Sequence, residues 1–159
     1  MKKVITIDEL NTIVKSLKLK RKKIVLVGGC FDIVHIGHIA FLQKAKEQGN
    51  FLIVLLESDE TIKKMKGPTR PIHTQYLRAK ILGSLDSVDL VVQIPQLKTD
   101  KEYSKLVKII EPDIIAVTKG DPILIKKMAH AQTIHAKVVK VIDRQKEYST
   151  SNLVNNLKK

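Results

Sequence analysis

The sequence has one cysteine, no tryptophan and few other aromatic residues, and each shortage argues against a class of protein. The single cysteine, Cys30, cannot form an internal disulfide, which is consistent with a reducing compartment. Phe, Trp and Tyr together make up 4% of the chain, so the aromatic platforms on which single-stranded nucleic acids stack are missing. The sequence also contains no RNP-like, KH-like or zinc-finger-like motif.

Long apolar runs are missing as well. No run approaches the roughly 20 residues that a membrane span requires, and residues 1–9 have no long apolar segment or small-residue cleavage site. We therefore expect a cytoplasmic protein that does not contact a membrane. The length of 159 residues predicts one domain over residues 1–159, with a helix and a basic connector over 1–23 and the core over 24–159.

Acidic residues are outnumbered by basic ones. The chain has 29 Lys and Arg against 16 Asp and Glu, a formal charge of +13. Such a surface attracts nucleic acids and small anions alike. Because stacking platforms are missing, we expect small anionic substrates rather than nucleic acid. The basic run at Lys18 and residues 20–23 is interpreted as a solvated connector.

What the chain does contain is an alternation of short apolar runs and amphipathic segments. Five runs predict strands, at residues 24–27, 51–56, 88–92, 114–117 and 137–141. The segments between them predict helices, including one from Thr74 or Gln75 that turns Leu77, Ile81, Leu82 and Leu85 inward. Strand, helix and strand within about 35 residues indicate a right-handed parallel crossover. The expected fold is α/β, a Rossmann-like, doubly wound, five-stranded parallel sheet.

The stretch from Ile24 to His38 contains the strongest functional signal. Its strand ends at Gly28 and Gly29, which let the backbone turn sharply and approach a ligand. His35 and His38, three residues apart at the start of the next helix, lie beside free backbone N–H groups and the positive end of the helix dipole. This pattern predicts an anion site with two adjustable donors. Zinc ligation is the weaker interpretation, because no second Cys/His cluster accompanies Cys30.

Three further segments offer groups for a phosphorylated ligand. Residues 63–71 form a Gly/Pro loop with four cations that can close over a triphosphate, or that is simply an exposed basic loop. A second turn, at Lys119, Gly120 and Asp121, follows a strand. Hydroxyl residues near the C-terminal helix would cap it or, with Arg144 upstream, hold a phosphate; they are Ser149, Thr150 and Ser151.

The motif Gly28-Gly29-Cys30-Phe31-Asp32, followed by His35-x-Gly37-His38, resembles the HxGH signature of the cytidylyltransferase-like nucleotidyltransferases. The resemblance extends over nearly the whole chain, where it is most similar to the adenylyltransferase domain of bacterial ADP-heptose synthase. The matching segments are Lys66 to Ile72, Arg78, Leu85 to Asp89, Lys119 to Asp121 and Tyr148 to Ser151.

The resemblance implies transfer of AMP from ATP to a sugar phosphate such as heptose 1-phosphate, with release of pyrophosphate. It implies a homodimer, and we expect Mg²⁺ to arrive with the nucleotide and need few protein ligands. No residue is assigned to a metal. Asp32, counted with the nucleotide site, is expected mainly to fix the turn through backbone bonds. The expected catalytic residues are His35, His38, Lys66 and Arg144. The expected nucleotide-binding residues are Gly28, Gly29, Cys30, Phe31, Asp32, Gly37, Gly120, Asp121, Ser149, Thr150 and Ser151. The expected substrate-binding residues are Lys66, Arg70, Arg78 and Lys119.

The chain departs from that family's pattern at three places. It has Gly28-Gly29 for an asparagine-glycine pair, Leu77 for an acidic residue before Arg78, and Thr118-Lys119-Gly120-Asp121 for a lysine-glycine-glycine-aspartate run. The last change falls where the acceptor or the base should bind, so the substrate stays open. Glycerol-3-phosphate cytidylyltransferases and archaeal-type FAD synthases share the signature. The non-enzymatic alternative is a nucleotide- or nucleic-acid-binding module.

Overall fold

Residues 3–143 are described by a computed structural model, and they form one six-stranded parallel sheet flanked by helices. The strands are β1 (Val4–Thr6), β2 (Ile24–Gly29), β3 (Phe51–Leu56), β4 (Leu90–Gln93), β5 (Ile114–Lys119) and β6 (Lys137–Asp143). The helices are α1 (Ile7–Leu19), α2 (Ile36–Lys46), α3 (Asp59–Lys66), α4 (Gln75–Gly83), α5 (Asp100–Ile110) and α6 (Leu124–Gln132). Among these residues, every helix is too short or too polar to cross a bilayer.

The predicted α/β class and parallel sheet are confirmed, but the sheet has six strands rather than five. The additional strand, β1, pairs in parallel with β4, with Val4 opposite Val91. A strand of three residues is too short to show an alternating pattern. It also runs directly into α1, because Thr6 ends the strand and is the N-cap of the helix.

Helices cover both faces of the sheet. Leu26, Ile53 and Ile115 point to the face covered by α1, α5 and α6. Val25 and Leu52 point to the opposite face, where α2 and α4 pack. All six residues of β3 are buried, as expected for a central strand of a sheet that is covered on both sides.

Helix α4 turns Leu82 towards the sheet, as predicted, but not Leu77. Leu77, predicted to face inward, is 45% exposed, whereas Arg78 is fully buried. Ala79 and Leu82 supply the apolar contacts with the sheet. The guanidinium of Arg78 takes the inward position that apolar periodicity predicted for Leu77.

The strand order β1-β4-β3-β2-β5-β6 reverses direction between β2 and β5. The chain leaves β2 towards β3 and β4, and later returns to the other side of β2 with β5 and β6. In open parallel sheets, ligands bind in the crevice at the carboxyl ends of the strands that flank such a reversal. The fold therefore places the end of β2, and the signature that follows it, at a ligand-binding position.

Candidate functional site

The turn after β2 is shaped by Gly29 and Phe31. Phe31 has a left-handed backbone, with φ of 45°, and its ring is buried. A Cβ on Gly29 would lie 2.9 Å from that ring, so only glycine fits there. At Gly28 the nearest atom would be 3.9 Å away. The close approach of the Phe31 ring to the backbone of Gly29 thus explains why the second residue of the pair is glycine.

His35 and His38 come together at the start of α2. His35 is the N-cap residue, and the two imidazole rings stack with their centroids 3.8 Å apart. The His38 ring also contacts Phe31, at 5.0 Å between centroids. Within residues 3–143, the Nδ1 atom of each histidine is buried and has no hydrogen-bond partner. Such unpaired groups are costly unless a ligand satisfies them.

The electrostatic environment keeps both histidines neutral at pH 7. Burial, then the charges of His35 and Lys66, lower the pKa of His38 to about 4, although the Ile33 backbone acts in the opposite direction. The pKa of His35 is also lowered, by burial and by Lys66. A neutral imidazole can still donate one hydrogen bond. The negative charge of a bound polyphosphate would raise the pKa of both rings, because it stabilises imidazolium.

Lys66, the last residue of α3, is exposed beside the histidines. Its charge lowers the pKa of both rings, so the structure brings together His35, His38 and Lys66 of the predicted catalytic set.

Burial raises the pKa of the Cys30 thiol despite the opposing charge of Lys66. Cys30 therefore stays protonated at neutral pH, which favours a packing role over reactivity.

Asp32 and Arg70 form a buried ion pair that ties the signature turn to the segment after α3. Asp32 also accepts hydrogen bonds from the backbone N–H groups of Ile72 and His73, at 2.7 and 3.3 Å. Burial opposes ionisation of Asp32, but these bonds lower its pKa on balance. Asp32 thus binds backbone N–H groups, as expected, but these groups belong to the segment after α3 and not to the signature turn. Arg70, predicted to bind substrate, has Asp32 as its partner, and its buried Nη2 atom has no hydrogen-bond partner within residues 3–143.

The predicted role of Arg78 in substrate binding is wrong. Its side chain is fully buried and donates to the carbonyl oxygens of Cys30, Glu57 and His73, and to the Asp59 carboxylate. These contacts hold the ends of β2 and β3 together from behind the site. A guanidinium with this many protein partners is a structural clamp.

The second predicted turn follows β5, the neighbour of β2 in the sheet. Gly120 adopts a φ of 80°, a conformation that favours glycine. Asp121 accepts from the Ile123 N–H and pairs with Lys127 at 2.7 Å. Lys119 is exposed, and its Nζ atom lies 3.7 Å from the Asp143 carboxylate.

The remaining predicted nucleotide-binding residue of the signature, Gly37, is in the first turn of α2. Arg144, Ser149, Thr150 and Ser151 lie outside the described residues, so their predicted roles stay predictions.

A cavity of about 370 Å³ opens beside the signature turn, on the α5 and α6 side of the sheet. Leu26, Leu55 and Ile115 supply part of its apolar lining, and Gly28, Gly29 and Cys30 form the edge shared with the signature. Sequence reasoning missed several of its polar residues, which are Glu57, Thr99, Asp100, Tyr103, Lys127 and His130. Glu57 had a recognisable signal, since it directly follows a buried strand at the ligand-binding edge.

A family model described as cytidylyltransferase-like matches residues 26–156. The chain belongs to the cytidylyltransferase-like family. The match begins within β2, so it includes the glycine turn, the histidine pair and the cavity. The predicted family resemblance is confirmed.

Relatives of this family member include longer proteins named bifunctional protein HldE. The chain is 41% identical over 151 residues to the one from a Nitratiruptor species, a match that covers 95% of this chain and 31% of the relative. It is 41% identical over 157 residues to the one from Helicobacter hepaticus, which covers 99% and 30%. The chain thus spans about a third of the length of the curated relatives that it matches.

Solved structures support the same fold. The lipopolysaccharide core biosynthesis protein from Thermoplasma volcanium aligns with a TM-score of 0.63 and 26% identity, covering 78% of this chain and 99% of that one. Pantoate-beta-alanine ligase from Francisella tularensis aligns with a TM-score of 0.66 over 92% of this chain and 69% of that one. The ligase is 20% identical, so it supports the fold alone.

Proposed function

We propose that this chain is an adenylyltransferase that moves AMP from ATP to a sugar phosphate resembling heptose 1-phosphate, with release of pyrophosphate. The observation that carries the proposal is the stacked pair of His35 and His38, whose Nδ1 atoms are buried and unpaired within residues 3–143. The pair lies at the N-terminus of α2 beside a glycine turn. Membership of the cytidylyltransferase-like family and the resemblance to ADP-heptose synthase support the reaction class.

In the proposed reaction, a phosphate oxygen of the acceptor attacks the α-phosphorus of ATP. The new bond joins that oxygen to phosphorus, while the bond to the bridging oxygen of the β-phosphate breaks and pyrophosphate leaves with the electron pair. A phosphate nucleophile is already ionised at neutral pH, so the protein needs no general base. Its task is to align the reactants and to stabilise the charge that spreads over the phosphoryl oxygens.

Each part of the described site has a place in this reaction. His35 and His38 would donate to the α-phosphate and the leaving bridge, because their rings flank the helix N-terminus. Lys66 would neutralise charge on the triphosphate or the acceptor phosphate. The backbone from Gly29 to Phe31 would approach the phosphates. We keep Arg144, Ser149 and Thr150 as predicted contacts of the β- and γ-phosphates.

Mg²⁺ belongs to the substrate in this proposal, as MgATP. Asp32, the carboxylate in the signature turn, is already occupied by Arg70 and two backbone N–H groups. Across residues 3–143, no group of three or more His, Cys, Asp or Glu side chains is arranged to hold a metal ion. The ion would therefore bind mainly to phosphate oxygens and water, as Mg²⁺ commonly does.

We also propose a homodimer that acts in the cytoplasm. Three apolar side chains on and before α4 are exposed, those of Ile72, Tyr76 and Leu77, and we propose that a second copy covers them. Light scattering coupled to size exclusion should give twice the chain mass of 17.9 kDa. A monomer at micromolar concentration would contradict this part of the proposal.

The experiment that tests the function is a pyrophosphate-release assay with ATP or CTP and a panel of acceptors. The panel contains heptose 1-phosphate, mannose 1-phosphate, glycerol 3-phosphate and FMN. We expect release with ATP and a sugar 1-phosphate, and formation of the ADP-sugar by mass spectrometry. Preference for CTP and glycerol 3-phosphate, or for FMN, would replace the proposed acceptor. Nucleotide binding by calorimetry without turnover of any acceptor would indicate a binding module.

A further inference from the structure

Glu57 is a charged residue of the cavity that the proposed chemistry does not use. It directly follows β3, and its backbone N–H donates to the Gly29 carbonyl oxygen at 3.2 Å. Its own carbonyl accepts from the Arg78 guanidinium at 2.9 Å. Because Arg78 also binds the Cys30 carbonyl, the position of Glu57 is fixed relative to the signature turn.

The side chain of Glu57 retains capacity to accept hydrogen bonds. The Tyr103 hydroxyl lies 3.0 Å from each carboxylate oxygen, so one proton is shared between two acceptors. A carboxylate has about four acceptor positions, and one phenol fills one of them. In the part of the chain that the structure describes, no ion pair with Glu57 is formed. Burial raises its pKa, while Tyr103 and the charges of Arg78 and Lys127 oppose that rise.

The cavity around Glu57 has an apolar lining and a polar wall. Leu26, Leu55, Val107 and Ile115 contribute apolar surface, while Glu57 and Tyr103 contribute polar atoms beside the signature. A sugar ring matches such a site, because its C–H faces are apolar and its hydroxyls project at the edge. The volume of about 370 Å³ is within the range of small-molecule sites.

The charge distribution also sets the direction in which an acceptor would enter. A carboxylate repels phosphate, whereas Lys66 and the histidine pair attract it, so the phosphate should face the signature turn. Three lysines of the cavity do not reverse this order: Lys127 is paired with Asp121 at 2.7 Å, and Lys98 and Lys126 are exposed, so solvent screens their charge. The neutral, hydroxyl-bearing end of the acceptor would then face Glu57.

We propose that Glu57, held in place by Tyr103, accepts hydrogen bonds from hydroxyl groups of the acceptor and thereby selects polyhydroxylated phosphates. This inference rests on the proposed function, since it assigns the recognition residue of the acceptor site. It predicts discrimination in favour of acceptors with hydroxyls at the end remote from the phosphate, and against acceptors with a second anionic group there. A site built to bind a hydroxyl strongly rejects an analogue without it, because its own polar groups are then left unpaired.

The test is the kinetics of E57Q and Y103F with heptose 1-phosphate and with monodeoxy derivatives of mannose 1-phosphate. Glutamine keeps the shape of Glu57 and an acceptor for Tyr103 but removes the charge. We expect E57Q to raise the acceptor KM about 10- to 100-fold, the range for a hydrogen bond to a charged group. The ATP KM should stay within about twofold, since Glu57 has no part in the proposed contacts with the nucleotide. Y103F should raise the acceptor KM by a smaller factor.

The matched control is E47Q, which removes a carboxylate that is exposed and pairs with Lys44 on α2. It should leave both KM values unchanged. The ratio of kcat/KM between mannose 1-phosphate and its deoxy derivatives gives a second readout, which a merely structural role would not move. We expect this ratio to fall towards one in E57Q while the thermal unfolding midpoint stays the same.

The outcomes separate the two proposals. If the wild type forms an ADP-sugar but E57Q keeps the same acceptor KM and the same deoxy ratio, the inference is overturned and the proposed function stands. If the wild type adenylates only an acceptor without hydroxyls, both are overturned. If turnover is absent, calorimetry with heptose 1-phosphate decides: binding that E57Q weakens supports the role of Glu57, and equal binding or none by the wild type refutes it.

Discussion

At the scale of single residues, the two histidines combine burial with an unmet need for partners. Their rings are stacked, their pKa values are lowered, and their Nδ1 atoms have no partner within residues 3–143. Neutral rings can lie in contact without the repulsion that two imidazolium ions would suffer. The same arrangement is unfavourable for packing alone, so it points to an anionic ligand.

Replacement of His38 by alanine should reduce turnover without preventing folding. Loss of a preorganised donor to developing charge typically lowers kcat by about 10²- to 10³-fold. We expect at least that loss in pyrophosphate release, with a far-UV circular dichroism spectrum like that of the parent. H135A is the control, because His135 is exposed after α6. Equal kcat in H38A and the parent would remove His38 from the catalytic set.

The lowered pKa of His38 also predicts how stability depends on pH. Its pKa is about 4 in the folded protein and near 6.5 unfolded, so between these values the unfolded chain binds more protons. The free energy of unfolding should therefore fall as pH decreases from about 6.5 towards about 4, by at most about 3 kcal/mol from this group. Urea denaturation at several pH values should show a shallower slope for H38Q. Identical slopes in both proteins would contradict the assigned pKa.

At the scale of elements, Arg78 shows that a charged residue can serve as part of a helix–sheet interface. Helix α4 turns Arg78 towards the sheet and leaves Leu77 in solvent, the reverse of what apolar periodicity predicts. The guanidinium replaces apolar contacts with hydrogen bonds to carbonyl groups at the ends of two strands. By binding both carbonyl groups, Arg78 fixes the positions of Cys30 and Glu57, which both line the cavity.

Replacement of Arg78 by alanine should destabilise the protein strongly. The change leaves three carbonyl groups and the Asp59 carboxylate without their donor. It also opens a cavity, and the lost hydrogen bonds together with that cavity cost about 3–5 kcal/mol. Chemical denaturation should show a loss in that range. K80A on the same helix, which removes an exposed lysine over the Tyr76 ring, should change stability by less than about 1 kcal/mol. A similarly small loss in R78A would show that the clamp contributes little.

At the scale of the whole molecule, the excess of basic residues creates a field that extends beyond the site. A charge of +13 on 159 residues attracts anionic substrates from solution. Exposed lysines, including Lys66, Lys119 and Lys126, lie around the carboxyl edge of the sheet. This field affects how fast the substrate reaches the protein, whereas the short contacts made by the bound substrate are less screened by salt.

Salt should therefore reduce kcat/KM for ATP more than it reduces kcat. We expect kcat/KM to fall several-fold between about 50 and 300 mM NaCl, because the Debye length shortens from about 14 to 6 Å over that range. Steady-state kinetics at saturating acceptor would measure both constants, with NaCl replaced by betaine at equal osmolality as the control. A kcat/KM that does not change with NaCl would show that the net charge has no part in substrate capture.

The amino-acid sequence determined the elements and the ligand-binding edge. The five longer strands and the carboxyl-edge position of His35 and His38 follow from local periodicity, chirality and turn chemistry. Only the tertiary structure decided which side chains meet. The pairs Glu57 with Tyr103 and Asp32 with Arg70 are 46 and 38 residues apart in sequence. The physical reason is that local patterns fix backbone conformation, whereas these contacts depend on strand order and helix rotation, to which distant segments contribute together.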